Sequence, residues 1–448
     1  MTDATNLPIA IIGGGPVGLA AAAELIARGE SPVVFEADST VGASVLKWGH
    51  VGLFSPWRYC IDSAAQTILE ETGWIAPDGE SWPTGKDLVN QYLEPLYSLP
   101  QIKNAVHLNT TVTSITRKGF DKMKTIGREK APFSITIVDD NGKEQVVLAR
   151  AIIDASGTYL NANPLGSGGV HAIGERTSSD RIVYRIPDVL GSERDRYSDK
   201  RVAVIGSGHS AFNTILELVE LQKEAPGTQI IWAIRKRNLA SVFGGGENDQ
   251  LEARGALGAK VKKLLDSGVI QLFTSFRLEA IRQDEQGIIL ESDLGEELPA
   301  VDEVVANTGF RPDLSILSEL RLGLDPGVEA PTELAPLIDP NFHSCGTVRP
   351  HGEAELAHPE AGLYIVGMKS YGRAPTFLLL TGYEQVRSIA CALTGDMEGA
   401  KQVQLELPET GVCSRDGGEG GCCDGPVIKA PTLSNGLTLI SPMPLRSS

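Results

Sequence analysis

Two glycine-rich turns, each between an apolar strand and a helix of small residues, constrain most strongly how this chain can fold. They lie in IAIIGGGPVGLAAAAELIARG and RVAVIGSGHSAFNTILELVEL. The branched apolar runs indicate buried parallel strands, and an Ala- or Leu-rich helix follows at once. Glycines permit a tight turn and let a diphosphate approach the positive end of the helix. The chain is therefore predicted to hold two dinucleotides, with electron transfer between them.

The two turns supply the first candidate cofactor-binding residues. These are Gly13, Gly15, Pro16 and Gly18 in the first turn, and Gly206, Gly208, His209 and Ser210 in the second. A single turn of this kind is weak support, whereas two in strand-turn-helix context favour a common plan. His209 is open to two interpretations, since it could contact the phosphate or nicotinamide of a dinucleotide or simply fill the loop.

The charges that follow each turn distinguish the two dinucleotides. Glu36 ends the strand SPVVFEADS at the distance, about 20 residues past the glycines, where an acid accepts hydrogen bonds from ribose hydroxyls. Arg235, Lys236 and Arg237 occupy the corresponding place after the second turn, and cations suit the 2′-phosphate of NADPH. The contrast assigns FAD to the first turn and NADPH to the second. Alternatively, Glu36 is an ordinary solvated acid, and the three basic residues are an ordinary solvated strand end.

Length and charge limit the classes of protein that the chain can represent. At 448 residues it is expected to form two or three domains, and no apolar run approaches the roughly 20 residues of a membrane span. The beginning MTDATNLPIA shows no leader pattern, so a cytoplasmic location is expected. The net charge of −17 argues against nucleic-acid and anionic-membrane partners. Small-molecule partners are expected, and the oligomeric state is not indicated.

The order of strands and helices predicts an α/β fold with two Rossmann-like domains, the second inserted into the first. The runs VHLNTTVTSITR, FSITIVDD and EQVVLARAIIDASG, with an Asn141-Gly142 turn, predict a small antiparallel insertion. The segment from Gly362 supplies another strand and a long apolar helix that complete the first sheet. The expected parts are a FAD domain at 1–165 and 335–406, an NADPH domain at 166–334, and a flexible Gly- and Cys-rich tail at 407–448.

Five stretches of sequence together resemble one family. They are Gly13-x-Gly15-x-x-Gly18, Phe54 to Trp57, Asp154-Ala155-Ser156-Gly157, Gly206-x-Gly208-x-Ser210-Ala211 and Thr308-Gly309-Phe310-Arg311-Pro312. Over roughly residues 6–400 the chain resembles the flavin-containing monooxygenases, a branch of the flavoproteins with two dinucleotide-binding domains. The resemblance implies FAD and NADPH as cofactors and includes Gly309 among their contacts. One departure is Asp195, which stands where the family fingerprint has a histidine.

A narrower resemblance concerns the segment from His343 to Ala390 and the cysteine-bearing tail. Together they are similar to the flavin monooxygenases encoded in bacterial arsenic-resistance operons. That resemblance implies oxidation of arsenite or methylarsenite to pentavalent forms, with NADPH and O2, through a flavin C4a-hydroperoxide. Trivalent arsenic is a soft nucleophile with a lone pair, so the cofactor would do most of the chemistry.

The residues expected around the flavin ring lie mainly at strand ends, where doubly wound folds bind ligands. Ser156 and Gly157 end one predicted parallel strand, and Gly367 and Met368 end the last one. Trp48, with the stretch from Phe54 to Trp57, is expected to cover the isoalloxazine. Alternatively these aromatic residues are ordinary core.

The cysteines divide into isolated residues and a cluster. Cys60 and Cys345 are candidate catalytic residues that would hold a thiophilic substrate near the flavin, although isolated cysteines are more often inert and buried. Cys413, Cys422 and Cys423 could capture a trigonal metalloid, or be incidental to a Gly-rich tail.

Two other functions remain open from the sequence. One is an NADPH-dependent flavin reductase or thiol oxidoreductase that acts through the tail cysteines. A reductase with a cysteine pair next to the flavin is disfavoured, because no Cys-x-x-Cys or Cys-x4-Cys pair occurs between residues 1 and 400. The other is a thiol-based metalloid-binding protein in which FAD is only structural.

Overall fold

Two parallel β-sheets carry the two glycine-rich turns. The computed structural model describes residues 6–238, 242–243, 252–342, 348–374 and 377–405, with the backbone alone for 252–256, all within a unit that spans residues 1–414. The strands in chain order are β1 Ile9–Ile12, β2 Pro32–Phe35, β3 Val106–His107, β4 Thr111–Arg117, β5 Phe133–Val138, β6 Glu144–Ala149, β7 Ala151–Asp154, β8 Ile182–Val183, β9 Arg201–Ile205, β10 Gln229–Ala233, β11 Ile270–Phe273, β12 Leu278–Asp284, β13 Gly287–Ser292, β14 Glu303–Ala306 and β15 Leu363–Ile365.

The helices lie between these strands and after the last one. In chain order they are α1 Pro16–Ala27, α2 Ala43–Leu46, α3 Ser63–Glu70, α4 Gly85–Leu88, α5 Glu94–Ser98, α6 Pro100–Lys103, α7 Arg194–Tyr197, α8 His209–Gln222, α9 Glu252–Asp266, α10 Ala335–Ile338, α11 Glu353–Leu356, α12 Leu379–Leu393 and α13 Met397–Lys401. None of the helices in the described ranges is long and apolar enough to cross a membrane.

Strand order confirms the predicted fold class. The first sheet runs β15-β7-β1-β2-β3 and the second β11-β10-β9-β14-β8, with parallel pairing throughout. Because β15 follows the whole second sheet in sequence and yet pairs with β7, the second Rossmann-like unit is inserted into the first. The glycine turns after β1 and β9 leave the carboxyl ends of strands inside their sheets, where such folds bind dinucleotides.

Helix α1 is buried almost completely, since it packs between the first sheet and α12. Leu19, Leu25 and the four alanines 20–23 have no exposed surface. Small side chains on so many positions let the helix approach its neighbours closely, and branched strand residues such as Ile11 fill the facing layer. The glycine turn therefore projects from one of the best-packed parts of the protein.

The antiparallel parts differ slightly from the prediction. Strands β4, β5 and β6 form the expected small sheet, and Asn141-Gly142 turns between β5 and β6. The run VHLNTTVTSITR, however, is two strands, because Asn109 has φ +51° and redirects the chain. The short β3 before Asn109 extends the parallel sheet beside β2. Asparagine tolerates this left-handed conformation better than most residues do.

The chain passes between the two sheets twice, and the two passages pair with each other. Asn163 donates its backbone N–H to Gly309 O (2.9 Å), and Arg311 donates its backbone N–H to Asn161 O (3.0 Å). The side chain of Thr308 also donates to Asn163 O (2.7 Å). These bonds form a short antiparallel link, residues 161–163 with 309–311, which joins the two sheets.

Candidate functional site

The first glycine turn has the geometry of a diphosphate cradle. Gly13 has φ +100°, and a Cβ there would lie 2.9 Å from Ala155 O. A Cβ on Gly18 would lie only 1.9 Å from Gly13 O, so this glycine lets α1 pack on the turn. By contrast, Gly15 caps the helix with no side-chain bond and with no atom within 4 Å of an ideal Cβ. The open space lies at the helix N-terminus, where N–H groups bind phosphate.

Glu36 lies where the sequence predicted it, next to the first turn. One of its carboxylate oxygens accepts the backbone N–H of Gly14 (2.6 Å) and the other accepts that of Asp38 (2.9 Å). Burial raises the pKa of Glu36, although these two hydrogen bonds oppose the shift. An acid held this way at the end of β2 fits the ribose of an adenine dinucleotide.

The second glycine turn repeats this arrangement. Gly206 has φ +136°, and a Cβ there would lie 2.2 Å from Asn307 O. Gly208 caps α8 with open space around it, as Gly15 does for α1. Trp232 in β10 holds the turn in place, because its indole N–H donates a hydrogen bond to Gly206 O (2.7 Å). Ser210 lies in the first turn of α8 and is half-buried.

His209 begins α8 and contacts the segment that follows α2. Its ring lies 5.2 Å from that of Phe54 and 5.9 Å from that of Phe212, between centroids. Phe54 belongs to the stretch predicted to cover the flavin, so residues associated with the two turns meet here. The prediction that His209 contacts a dinucleotide stays a prediction, and the contacts of its ring with Phe54 and Phe212 are packing contacts.

The basic residues after β10 lie at the carboxyl end of the second sheet. The side chains of Arg235 and Arg237 are exposed, and Lys236 is half-buried. Arg235 reaches across to the loop after the interdomain link and donates to Ser167 O (3.3 Å). Exposed guanidinium groups at this edge fit a phosphate on the ribose of NADPH.

A buried ion pair, which the sequence analysis missed, lies where β7 and β15 end. Lys369 is 2% exposed and its Nζ donates to Asp154 Oδ2 (2.7 Å), while Asp154 is fully buried. The Lys369 ammonium also donates to Ser156 Oγ (3.0 Å), and that hydroxyl donates to Asp154 Oδ1 (2.6 Å). The predicted site residue Ser156 is therefore held by a buried charge on each side.

The turn after β15 is fixed from α12. Gly367 has φ +66°, and its backbone N–H donates to Gln385 Oε1 (2.8 Å). A Cβ on Gly367 would lie 3.3 Å from the Val17 side chain, so this turn meets the start of α1. Met368 follows it and is half-buried. The turns after β1, β7 and β15 thus converge on one side of the first sheet.

Three further predicted residues lie in different surroundings. Gly157, with φ +70°, continues the turn after β7, and Gly309, with φ +84°, belongs to the interdomain link. Trp48 is half-buried and packs against the hydrophobic core, and a Cβ on Gly85 would lie 2.8 Å from its ring. Packing is thus the contact that the structure gives Trp48, and its role as a flavin cover stays a prediction.

The structure argues against the predicted catalytic role of Cys60. The side chain has no exposed surface, and its thiol donates to the carbonyl oxygens of Ser55 and Pro56. Burial raises the pKa of Cys60 to about 12, so the thiolate that a soft substrate needs is disfavoured at neutral pH. The sequence could not reveal this, because an isolated cysteine carries no sign of its depth.

Four cysteines of the sequence analysis lie outside the described residues. These are Cys345 and the three tail cysteines Cys413, Cys422 and Cys423. Their predicted roles in holding a substrate or a metalloid therefore stay predictions. In the described ranges, no group of three or more His, Cys, Asp or Glu side chains is arranged to hold a metal ion.

These features define a protein with a dinucleotide-binding turn on each of two Rossmann-like sheets. The model of the pyridine nucleotide-disulphide oxidoreductase family matches residues 10–344, so the chain belongs to that family. Membership and the two turns indicate FAD and NAD(P)H as the cofactors, which confirms the predicted pair at this level. No curated protein matches the sequence.

Solved structures with similar folds include reductases and monooxygenases. The bacillithiol disulfide reductase Bdr of Bacillus cereus is 21% identical, with a TM-score of 0.62 over 87% of this chain and 98% of that one. The FAD-bound cadaverine monooxygenase DfoA of Erwinia amylovora is 13% identical, with a TM-score of 0.60 over 90% and 98%. The ornithine N-hydroxylase of Kutzneria sp. 744 is 15% identical, with a TM-score of 0.57 over 86% and 98%. At such identities the likeness concerns the fold.

Proposed function

We propose that the protein is a FAD- and NADPH-dependent monooxygenase that oxidises a soft nucleophile, specifically a trivalent arsenical. The observation that carries the proposal is the contact between Phe54 and His209, with ring centroids 5.2 Å apart. It joins the segment after α2, which the sequence analysis predicts to cover the flavin, to the start of the helix on the second turn. Dinucleotides on the two turns would therefore approach each other at a common site.

Each cofactor has residues that fit it. Glu36 and the open helix N-terminus at Gly15 fit FAD, and Arg235 and Arg237 fit the 2′-phosphate that distinguishes NADPH from NADH. When bound, FAD supplies hydride acceptance from the nicotinamide and electron transfer to O2. In the overall reaction one NADPH, one proton and one O2 yield NADP⁺, one water and one oxygen atom transferred to the substrate.

The chain's own residues would orient the flavin and limit the entry of water. Lys369 and Asp154 fix Ser156 at the end of β7, and Gln385 fixes the turn at Gly367. The segment around Phe54 would cover the site on the side of the second sheet. Rigid positioning of this kind is the main contribution that a protein makes when a cofactor carries the chemistry.

The arsenical substrate is supported by the sequence resemblance and by the chemistry of arsenic. A small ion with a lone pair needs few contacts and no acid-base apparatus of its own. Cys345 and the tail cysteines would collect it as thiolates, because soft ligands bind soft ions.

A second candidate is a flavin reductase that passes electrons to the tail. The observation that favours it is the vicinal pair Cys422-Cys423, which could accept two electrons as a disulfide. In that case one NADPH and one proton reduce the disulfide to two thiols, and no O2 is consumed.

The deciding experiment measures NADPH oxidation by the FAD-loaded protein with and without air, arsenite and methylarsenite. We expect an arsenical to stimulate NADPH oxidation, with equal O2 uptake and a pentavalent product. A chain ending at Glu406, compared with the full chain, isolates the tail cysteines. Turnover that persists without O2 and needs the tail would replace the proposal with the reductase. Oxygen uptake that no arsenical stimulates would refute the substrate.

A further inference from the structure

A cavity of about 590 Å³ opens beside the interdomain link, apart from the two glycine turns. Its lining consists of Pro164, residues 169–172, Gly174, Arg176, Thr177 and Arg311. Volumes of this order accept small organic ligands. The side chains of His171, Arg176 and Arg311 line it, and no carboxylate lies among the described residues of the lining.

Two arginines, Arg176 and Arg311, line this cavity in a chain of net charge −17. Arginines elsewhere in the unit usually pair with acids, as Arg117 and Arg128 both do with Glu360. Arg176 and Arg311 form no ion pair with any carboxylate of the described ranges; Arg311 donates only a long bond, 3.4 Å, to Gly169 O. Two unpaired guanidinium groups on one cavity attract an anion, and their planar forks match phosphate or carboxylate.

The wall of the cavity is preformed. Glu175 has no exposed surface and lies beneath the loop that runs from Leu165 to Ala172. Its carboxylate accepts hydrogen bonds from the backbone N–H groups of Leu165 (2.9 Å) and Ala172 (2.7 Å). It also accepts from the hydroxyl of Tyr184, and its carboxylate lies 3.1 Å from His171 Nδ1. A loop fixed in this way has little conformational entropy to lose when a ligand binds.

We propose that this cavity binds a phosphate or carboxylate group of a small-molecule anion. The anion has two possible sources. Arg235, bonded to Ser167 O of the same loop, connects the cavity to the residues assigned to NADPH, so the group could be the 2′-phosphate of that cofactor. Alternatively it belongs to a separate anionic metabolite. The first source rests on the proposed function, whereas anion binding itself does not.

The test titrates inorganic pyrophosphate into the FAD-loaded protein and measures the heat of binding. Arg176→Met and Arg311→Met remove one charge each and keep a long apolar stem. We expect each to weaken pyrophosphate binding at least about tenfold, as for loss of a charge-assisted bond. Arg282→Met is the matched control, because Arg282 is a half-exposed arginine of the same unit that pairs with Asp284 and Glu297. It should leave the affinity unchanged.

The same titration with saturating NADP⁺ or NAD⁺ separates the two sources. Displacement by NADP⁺ but not by NAD⁺ identifies the group as the 2′-phosphate, and binding that persists beside NADP⁺ identifies a separate ligand. Absence of saturable binding, or binding that neither Arg176→Met nor Arg311→Met weakens in folded protein, would overturn the proposal. The NADPH oxidation assay is independent of this result, so the failure of one proposal does not imply that of the other.

Discussion

Lys369 and Asp154 form the least ordinary pair of residues in the protein. Both lose their hydration almost completely, which costs several kcal/mol for each ion, and their mutual contact and the bonds to Ser156 offset part of that cost. A pair of apolar residues of similar volume would often be as stable. The position of the pair at the strand ends, beside the first glycine turn, is therefore consistent with a role in orienting FAD.

Replacing Lys369 with Met should leave the Asp154 carboxylate buried without its partner. We expect the free energy of unfolding of the FAD-free protein to fall by about 3–5 kcal/mol, and FAD affinity to fall as well. Urea unfolding and FAD fluorescence titration measure the two effects. The double variant Lys369→Met with Asp154→Asn should regain much of the stability but not the FAD affinity.

The matched control for this change is Lys401→Met. Lys401 is exposed and lies 3.7 Å from Glu398, so its loss should alter stability by less than about 0.5 kcal/mol. If Lys369→Met unfolds at the same urea concentration as the unsubstituted protein, the prediction that the buried ion pair is needed for stability is wrong.

Asp62 is another buried acid, and it lies in the core beside α1. It caps α3 by accepting the N–H of Ala65 (2.9 Å), and its own N–H donates to the hydroxyl of Tyr92 (3.1 Å). Burial, and next the charge of Glu24, raise the pKa of Asp62 to about 7, while the N–H donors and Arg28 oppose the shift. The folded protein thus keeps a proton that the unfolded chain loses near pH 4.

This shift predicts how stability depends on pH. Because the folded-state pKa lies above the unfolded value, the contribution of Asp62 is complete below about pH 4 and disappears as the pH rises through 7. Asp62→Asn keeps the cap but cannot titrate. Between pH 4 and 7 the variant should therefore gain about 3–4 kcal/mol in unfolding free energy relative to the unsubstituted protein. Urea unfolding along a pH series measures the difference, which should be constant below pH 4. A difference in unfolding free energy that stays constant over the whole pH series would contradict the raised pKa of Asp62.

Prediction from sequence is least complete for single side chains. Glu36 could be placed because its spacing from the glycines follows from one βαβ unit. Lys369 and Asp154 are 215 residues apart, and no local pattern joins them. Likewise, nothing in the sequence around Cys60 indicates its complete burial. The predicted binding of a thiophilic substrate needs a thiolate, and a buried thiol with a raised pKa does not suit that role.

At the scale of elements, Gly15 and Gly18 of the first turn have different physical roles. Gly18 is required by packing, since its Cβ would collide with Gly13 O, whereas Gly15 leaves open space at the start of α1. The backbone of Gly15, with φ −81°, is accessible to alanine. Gly15 should therefore affect the binding of FAD without affecting the stability of the fold, whereas Gly18 should affect both.

We expect Gly15→Ala to change the unfolding free energy of the FAD-free protein by less than about 1 kcal/mol. Its methyl group would occupy the phosphate position, so FAD affinity should fall at least about tenfold. Gly18→Ala should lower both quantities, because the clash displaces backbone. Urea unfolding and FAD titration separate the two, and Gly168→Ala, at another open glycine, should change neither. Equal destabilisation by the two first-turn variants would refute this division.

The elements themselves were largely predictable, since continuous apolar runs between glycines specify buried parallel strands. The Asn141-Gly142 hairpin was predictable for the same reason, because its turn chemistry is local. The division of β3 from β4 was not, because one alternating run contains both and only the conformation of Asn109 separates them.

At the scale of the whole molecule, the meeting of the two sheets could not be derived from either half. The interdomain link depends on hydrogen bonds such as that from Thr308 to Asn163, between residues 145 apart. Arg176 and Arg311 come together by the same folding; Arg311 belongs to the stretch from Thr308 to Pro312 that the sequence analysis singled out, but no local pattern joins it to Arg176. Fold class and cofactors thus follow from local signals, whereas the surroundings of the site follow from tertiary packing.

The contact between Phe54 and His209 should couple the two cofactor turns energetically. Removing either ring frees the start of α8 from the segment beside the first sheet, and small displacements of reacting groups slow a transfer strongly. We expect Phe54→Ala and His209→Ala each to slow anaerobic reduction of bound FAD by NADPH about tenfold, with FAD affinity retained. Stopped-flow absorbance measures the rate. The double variant should be less than additive by about 0.5–1.5 kcal/mol, the range for paired rings. Phe342→Ala, at an exposed ring, is the control, and strictly additive effects would mean that the contact does not join the two turns.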